Sequence, residues 1–237
     1  MEPGPGFEST IWSDVLHARE KSDPERRAAL DRLCRAYWPA LHALLRRRGF
    51  SEVDAEDAVQ GFLAHFLGKA LVDRADPERG RFRNYLLKTF ENWLSNERRI
   101  AGAAKRGGGR PPAPLNVQPP DLETPEDAFN RSWALTVLAR AQELLRKELH
   151  AKGLGVHYAA FCACLSGSDD RPSHEELARN LGCAPADVTA LLHSSRRRLG
   201  ELVRSVLRDT VDTSSEIESE VQDIFKFLLR KRANLTS

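Results

Sequence analysis

With 237 residues, 41% hydrophobic and 30% charged, the chain suits a soluble globular protein of one large or two small domains. No apolar run approaches the ~20 residues of a membrane span, and the Met1–Gly6 start has neither the basic nor the apolar stretch of a secretion signal. Cys34, Cys162, Cys164 and Cys183 lack the spacing of a disulfide framework, so a reducing cytoplasm and no membrane partner are expected. A formal net charge of +2 hides local contrasts. Arg46–Arg48, Arg98–Arg99, Lys105–Arg110 and Arg196–Arg198 are basic clusters, whereas 209–223 carries Asp209, Asp212, Glu216, Glu218, Glu220 and Asp223 with no basic residue. Such contrasts suit a protein that meets both DNA and a basic protein surface.

Leu30, Leu33, Cys34, Tyr37, Trp38, Leu41, Leu44 and Leu45 recur at helical spacing, with Pro39 expected to kink or break the helix and Gly49 to end it. Ser51 is placed to cap a second helix. Its apolar stripe is Ala58, Val59, Phe62, Leu63, Phe66 and Leu67, which leaves Asp54, Glu56, Asp57 and Gln60 outward. Asp73 to Gly80 reads as a loop. The helical period returns from Phe82 through Tyr85, Leu86, Phe90, Trp93 and Leu94, where Phe90 and Trp93 are expected in the core rather than stacked on bases. Residues 101–125, with three consecutive glycines and six prolines, read as a linker.

A second helical block follows. Trp133, Val137, Leu138, Ala141, Leu144 and Leu145 form one stripe, and Tyr158, Phe161 and Leu165 a shorter one. Ser173 to Glu176 is a capping box that opens a helix through Leu181. Gly182 makes the turn, and Pro185 fits the first turn of another helix. Helix, glycine turn, helix is the pattern of the DNA-binding helix-turn-helix and of the generic helical hairpin alike. After the acidic stretch, Ile217, Val221, Ile224, Phe225, Leu228 and Leu229 form an amphipathic helix. It is too apolar to stay in water and is expected to dock on the second block. With no sustained strand alternation, the expected fold is all-α. The expected organisation is a helical domain over 8–100, a linker over 101–125, a second helical domain over 126–208 and an extension over 209–237.

Three segments resemble one family in order. Asp54-Ala-Glu-Asp-Ala-Val-Gln60 is similar to the region 2 signature D-A-E-D-x-x-Q of sigma-70-family RNA polymerase subunits. The Phe82–Arg99 segment resembles the F-R-x-W-L stretch of the extracytoplasmic-function sigma factors, with Tyr85 for tryptophan and Asn96 for aspartate. Ser173–Leu199 is similar to region 4.2, S-x-E-E-I-A-x-x-L-G followed by a spaced leucine and arginine pattern. Trp12, Asp76–Phe82 and Lys105–Gly109 also resemble a group of such factors often associated with Ser/Thr kinases.

The resemblance implies that Asp54, Glu56, Asp57 and Gln60 dock on core RNA polymerase. It implies that Arg79, Arg81, Lys88, Asn92, Ser95, Asn96, Arg98 and Arg99 meet the promoter −10 element, and that Asp187, Thr189, Ala190, His193, Ser194, Arg196, Arg197 and Arg198 meet the −35 element. Leu191 and Ser194 stand where the family often has basic residues, so that second surface is weakly charged. Partners implied are core polymerase and promoter DNA, with an anti-sigma factor or a Ser/Thr kinase as candidate regulators. Neither covalent chemistry nor a cofactor is implied. No metal is expected either: His157, Cys162, Cys164, His174 and Cys183 fit no standard zinc spacing. The rival functions are a helix-turn-helix regulator acting without polymerase, which has no need of the acidic helix, and an enzyme, for which no catalytic constellation is visible. Two roles stay open for the tail: its acidic residues screening Arg196–Arg198, or, favoured by its apolar stripe, a purely structural part of the fold.

Overall fold

Apolar residues three and four apart drive every element. The computed structural model describes residues 23–69, 71–74, 81–104, 123–165, 172–208 and 214–233. Among them the chain is all-helical, without a strand. The elements are α1 (Asp23–Arg47), α2 (Glu52–Gly68), a 3-10 turn (Leu71–Arg74), α3 (Phe82–Ala104), α4 (Pro125–Ala151), α5 (Gly155–Leu165), α6 (His174–Leu181), α7 (Pro185–Arg208) and α8 (Ser214–Ala233). No helix among the described residues is long and apolar enough to cross a membrane. Arg79, most of the glycine- and proline-rich 101–125 segment, Trp12 and Asp209 to Asp212 lie outside the described residues.

The helix ends follow local chemistry. Ser51 accepts from the Asp54 amide to open α2, and Gly49 takes the positive φ of 84° that closes the turn before it. The Thr124 hydroxyl accepts from the Asp127 amide at 3.0 Å, and Pro125 holds the first helical position of α4. Of the kink or break expected at Pro39, the break does not occur. α1 runs through it, with the ring exposed and Tyr37, Ala40 and Leu41 buried on the other side. Burial of that side outweighs the one backbone bond a proline forfeits.

Two compact units result. One takes the described residues up to Thr136 together with those from Leu207 onward; the other is Val137–Val206. In the first unit, Leu33, Tyr37, Leu41, Leu44 and Leu45 of α1 are buried, as are Val59, Phe62 and Phe66 of α2 and Phe82, Leu86 and Phe90 of α3. Phe62 meets Phe90 edge-on at 4.9 Å, and Tyr37 lies 5.4 Å from Phe82. In the second unit, Ala141, Leu145, Phe161, Leu177, Val188, Leu192 and Leu202 form the core. The stripe read as continuous along α4 is shared: Trp133 is buried in the first unit, while Ala141 and Leu145 serve the second.

The tail corrects two expectations. α8 belongs to the first unit and not to the second block. Its buried residues are Ile217, Glu220, Val221 and Ile224, whereas Phe225 is 62% exposed. Positions 217, 220, 221 and 224 form one helical stripe, and Phe225 falls beside it, a hundred degrees from Ile224.

Candidate functional site

Three polar surfaces and one buried charge cluster stand out. The first surface is the outer side of α2. Its Val59, Phe62, Leu63 and Phe66 stripe faces the core, which turns Asp54, Glu56, Asp57 and Gln60 to solvent, as the periodicity predicts. These four are not equivalent. The Asp54 carboxylate accepts from the Ser51 hydroxyl at 2.6 Å, so it belongs to the cap of its own helix. Glu52 is 3.1 Å from Arg46 and 3.3 Å from His42. Glu56, Asp57 and Gln60 are left as the open acidic face. His42, Glu52 and Glu56 bring their ligand atoms within 4.8 Å of one another. Arg46 already neutralises Glu52, and the positive end of the α2 dipole faces the group, so the chemistry of the set disfavours a cation.

The second surface lies along α3. Burial of Leu86, Phe90 and Leu94 leaves Lys88, Asn92, Ser95, Asn96, Arg98 and Arg99 exposed. Lys88 to Arg99 spans about 16 Å of helix at 1.5 Å per residue. The Arg99 guanidinium donates to Asn96 Oδ1 at 3.0 Å, and Arg98 sits 5.3 Å from the Phe50 ring centroid. Amides for base edges and cations for phosphates therefore share one face. Phe90 is fully buried, as expected, while Trp93 is half-buried and packs 5.7 Å from Phe62 with its ring near Gly61.

The third surface is on α7. The capping box forms in full: the Ser173 hydroxyl accepts from the Glu176 amide, and the Glu176 carboxylate accepts from the Ser173 amide at 2.7 Å. Gly182 takes φ 66°, the left-handed conformation that ends α6 and turns the chain into α7. Thr189, Ala190, His193, Ser194, Arg196 and Arg197 are exposed on the following helix. Asp187, also exposed, accepts from the Ala184 amide at 3.1 Å and so caps α7. Thr189 bonds the Pro185 carbonyl and lies 3.2 Å from His174 Nδ1. Arg198 does not project freely. It donates to both oxygens of Glu148, at 2.8 and 2.6 Å, and to Glu201 at 2.8 Å. Those hydrogen bonds hold the Glu148 carboxyl below its ordinary value.

The buried charge cluster was not read from the sequence. The Arg83 side chain is 5% exposed and Glu220 2%, at 3.1 Å. Arg83 also donates to Asn130 at 3.0 Å and to Asp223 at 3.1 Å, and its guanidinium lies 4.3 Å from the Trp133 ring centroid. Phe227 of α8 lies on it at 5.5 Å. Arg81, expected at DNA, donates to Asp223 at 2.7 Å and to the Ser219 hydroxyl at 2.5 Å, and its Nε is 3.4 Å from Glu220. Burial alone would push the Asp223 carboxyl up, but the hydrogen bonds and charges of Arg81 and Arg83 outweigh it and hold the carboxyl below its ordinary value. Burial pushes the Tyr37 phenol well above its ordinary value, with the Arg83 charge opposing and Glu220 adding to the rise. Glu220 and Asp223 of the tail thus pair with Arg81 and Arg83 inside the first unit. The only trace of this pairing in the sequence is a glutamate in the apolar stripe of α8, one helical turn before Ile224.

Searches against protein-family models, curated proteins and solved structures find no match to this chain.

Proposed function

We propose that the chain is a bacterial sigma factor of the extracytoplasmic-function type. In this reading it binds core RNA polymerase, recognises a promoter and assists its opening, in the cytoplasm and without covalent chemistry or a cofactor. The observation that carries the reading is the pairing, within one unit, of an open acidic face on α2 (Glu56, Asp57, Gln60) with an exposed amide-and-cation face on α3 (Lys88, Asn92, Asn96, Arg99). The first suits a basic protein surface and the second nucleic acid. The capped α6–turn–α7 hairpin supports a second DNA contact, with Arg196 and Arg197 toward phosphates. The motifs at Asp54–Gln60, Phe82–Arg99 and Ser173–Leu199 give these surfaces their family context.

Runoff transcription with purified core polymerase tests the proposal on a template carrying the promoter of the protein's own gene. Transcripts that require both core and this protein are expected. Alanine at Asn92 and Asn96 should weaken them in a way that depends on the −10 sequence, because each base-specific pair discriminates by ~1–3 kcal/mol. DNA binding without any stimulation of core would instead favour a helix-turn-helix regulator that works without polymerase.

A further inference from the structure

Arg81 stands at the start of the proposed DNA face of α3, yet its side chain is held by the tail. Its backbone carbonyl receives the Asn84 and Tyr85 amides at the start of α3, so its Cα is fixed at the end of the polar α3 surface. Its side chain is only 22% exposed, with the guanidinium turned to Ser219, Glu220 and Asp223 of α8. A carboxylate pair and a hydroxyl on a guanidinium reproduce the acceptor set of a phosphate. Arg83 differs in kind. It is enclosed by Trp133, Phe227, Asn130 and Glu220, and its partner Glu220 is almost fully buried. Undocking α8 would leave that ion pair broken and the Ile217, Val221 and Ile224 stripe in water. The part of the contact that can change at small cost is therefore the rim: Arg81 swinging away from Ser219 and Asp223 while Arg83 and Glu220 stay together.

We propose that α8 is a built-in competitor for Arg81: Ser219 and Asp223 occupy the guanidinium that would otherwise bind a nucleic-acid phosphate, so the tail weakens the hold of the first unit on DNA. The inference rests on the reading that the α3 surface meets DNA.

The test uses the full chain and a fluorescein-labelled single-stranded oligodeoxynucleotide, with anisotropy titrations across a range of salt. Ser219→Ala loosens Arg81 without a change of charge and without touching the Arg83–Glu220 pair; Asp223→Asn loosens it further but also weakens the Asp223–Arg83 contact, so its thermal melt is measured beside its binding. Asp223→Asn should tighten binding about three- to fivefold, the scale of one partly exposed charge pair, and Ser219→Ala by less. The slope of log affinity against log salt should steepen by about 0.7, the value for one more phosphate on a single strand. Both gains should vanish in an Arg81→Ala background. A gain that persists without Arg81, or no gain at all, overturns the competitor while leaving the α3 surface in place, provided Lys88→Ala/Arg99→Ala still weakens binding. If that double variant binds as tightly as the wild type, the DNA reading of α3 fails and the competitor fails with it.

Discussion

Two arginines separated by one residue have different roles, and their surroundings decide which. Arg83 is buried against Trp133 with Glu220 as its buried counter-charge and Asp223 as a more exposed one, so removing Glu220 leaves the buried guanidinium only partly compensated. Glu220→Ala is therefore expected to cost ~3–5 kcal/mol in chemical denaturation, the usual penalty for breaking a buried pair. A loss below about 1 kcal/mol, the range of ordinary surface substitutions and pairs, would show that the site rehydrates. Arg198 is the counterpart on the second unit, tied to Glu148 and Glu201 near the surface. The Glu148 carboxyl has its value lowered by the Arg198 hydrogen bond, so the pair adds stability at pH above the unfolded carboxylate value of ~4.3. That contribution is lost as pH falls through the lower folded value. Thermal melts of wild type and Arg198→Met should differ at neutral pH and converge in acid; a constant gap would mean that Arg198 acts through packing alone.

At the scale of elements, the helix ends are set by single side chains. Ser173→Ala removes half of the capping box and should cost ~1 kcal/mol. Faster amide exchange confined to α6 and α7 would report it, and unchanged exchange would mean that packing of Leu177 and Val188 alone holds the hairpin. These caps were legible because a cap is local: Ser51, Ser173, Glu176, Gly49 and Gly182 act within a few residues of themselves. The outward acidic side of α2 and the polar side of α3 were legible for a related reason, since a 3.6-residue period assigns faces without knowing the partner. Pro39 does not end α1, because the cost of an internal proline is local but the burial that offsets it is not. Glu220 was missed because a glutamate reads as solvent-facing unless the arginine that meets it, more than a hundred residues away, is known. Phe225 was misjudged for the converse reason: one apolar residue beside a stripe need not be buried with it. Asp54 and Asp187 were read as contact residues, although in the structure both serve first as caps of their own helices.

At the scale of the molecule, the chain builds its first unit from both sides of the second. α8 completes a core begun by α1 to α3 and the first turns of α4. Truncation after Arg208 should therefore lower the melting temperature and expose apolar surface, because Ile217, Val221 and Ile224 leave the core together with Glu220. A truncated protein with an unchanged melt would contradict that account. The same arrangement puts the tail beside one proposed DNA residue, Arg81, and leaves the α2 face open. An open acidic face is what the proposed polymerase contact requires. The most direct measurement of the central claim is a fluorescence titration of labelled full-length protein with core RNA polymerase. It compares wild type with Glu56→Lys/Asp57→Lys and leaves Asp54 in place to cap α2. The account predicts saturable binding by the wild type, and binding lost in a variant that melts within a few degrees of it. Equal affinity of the two proteins for core, or no binding by either, would contradict it.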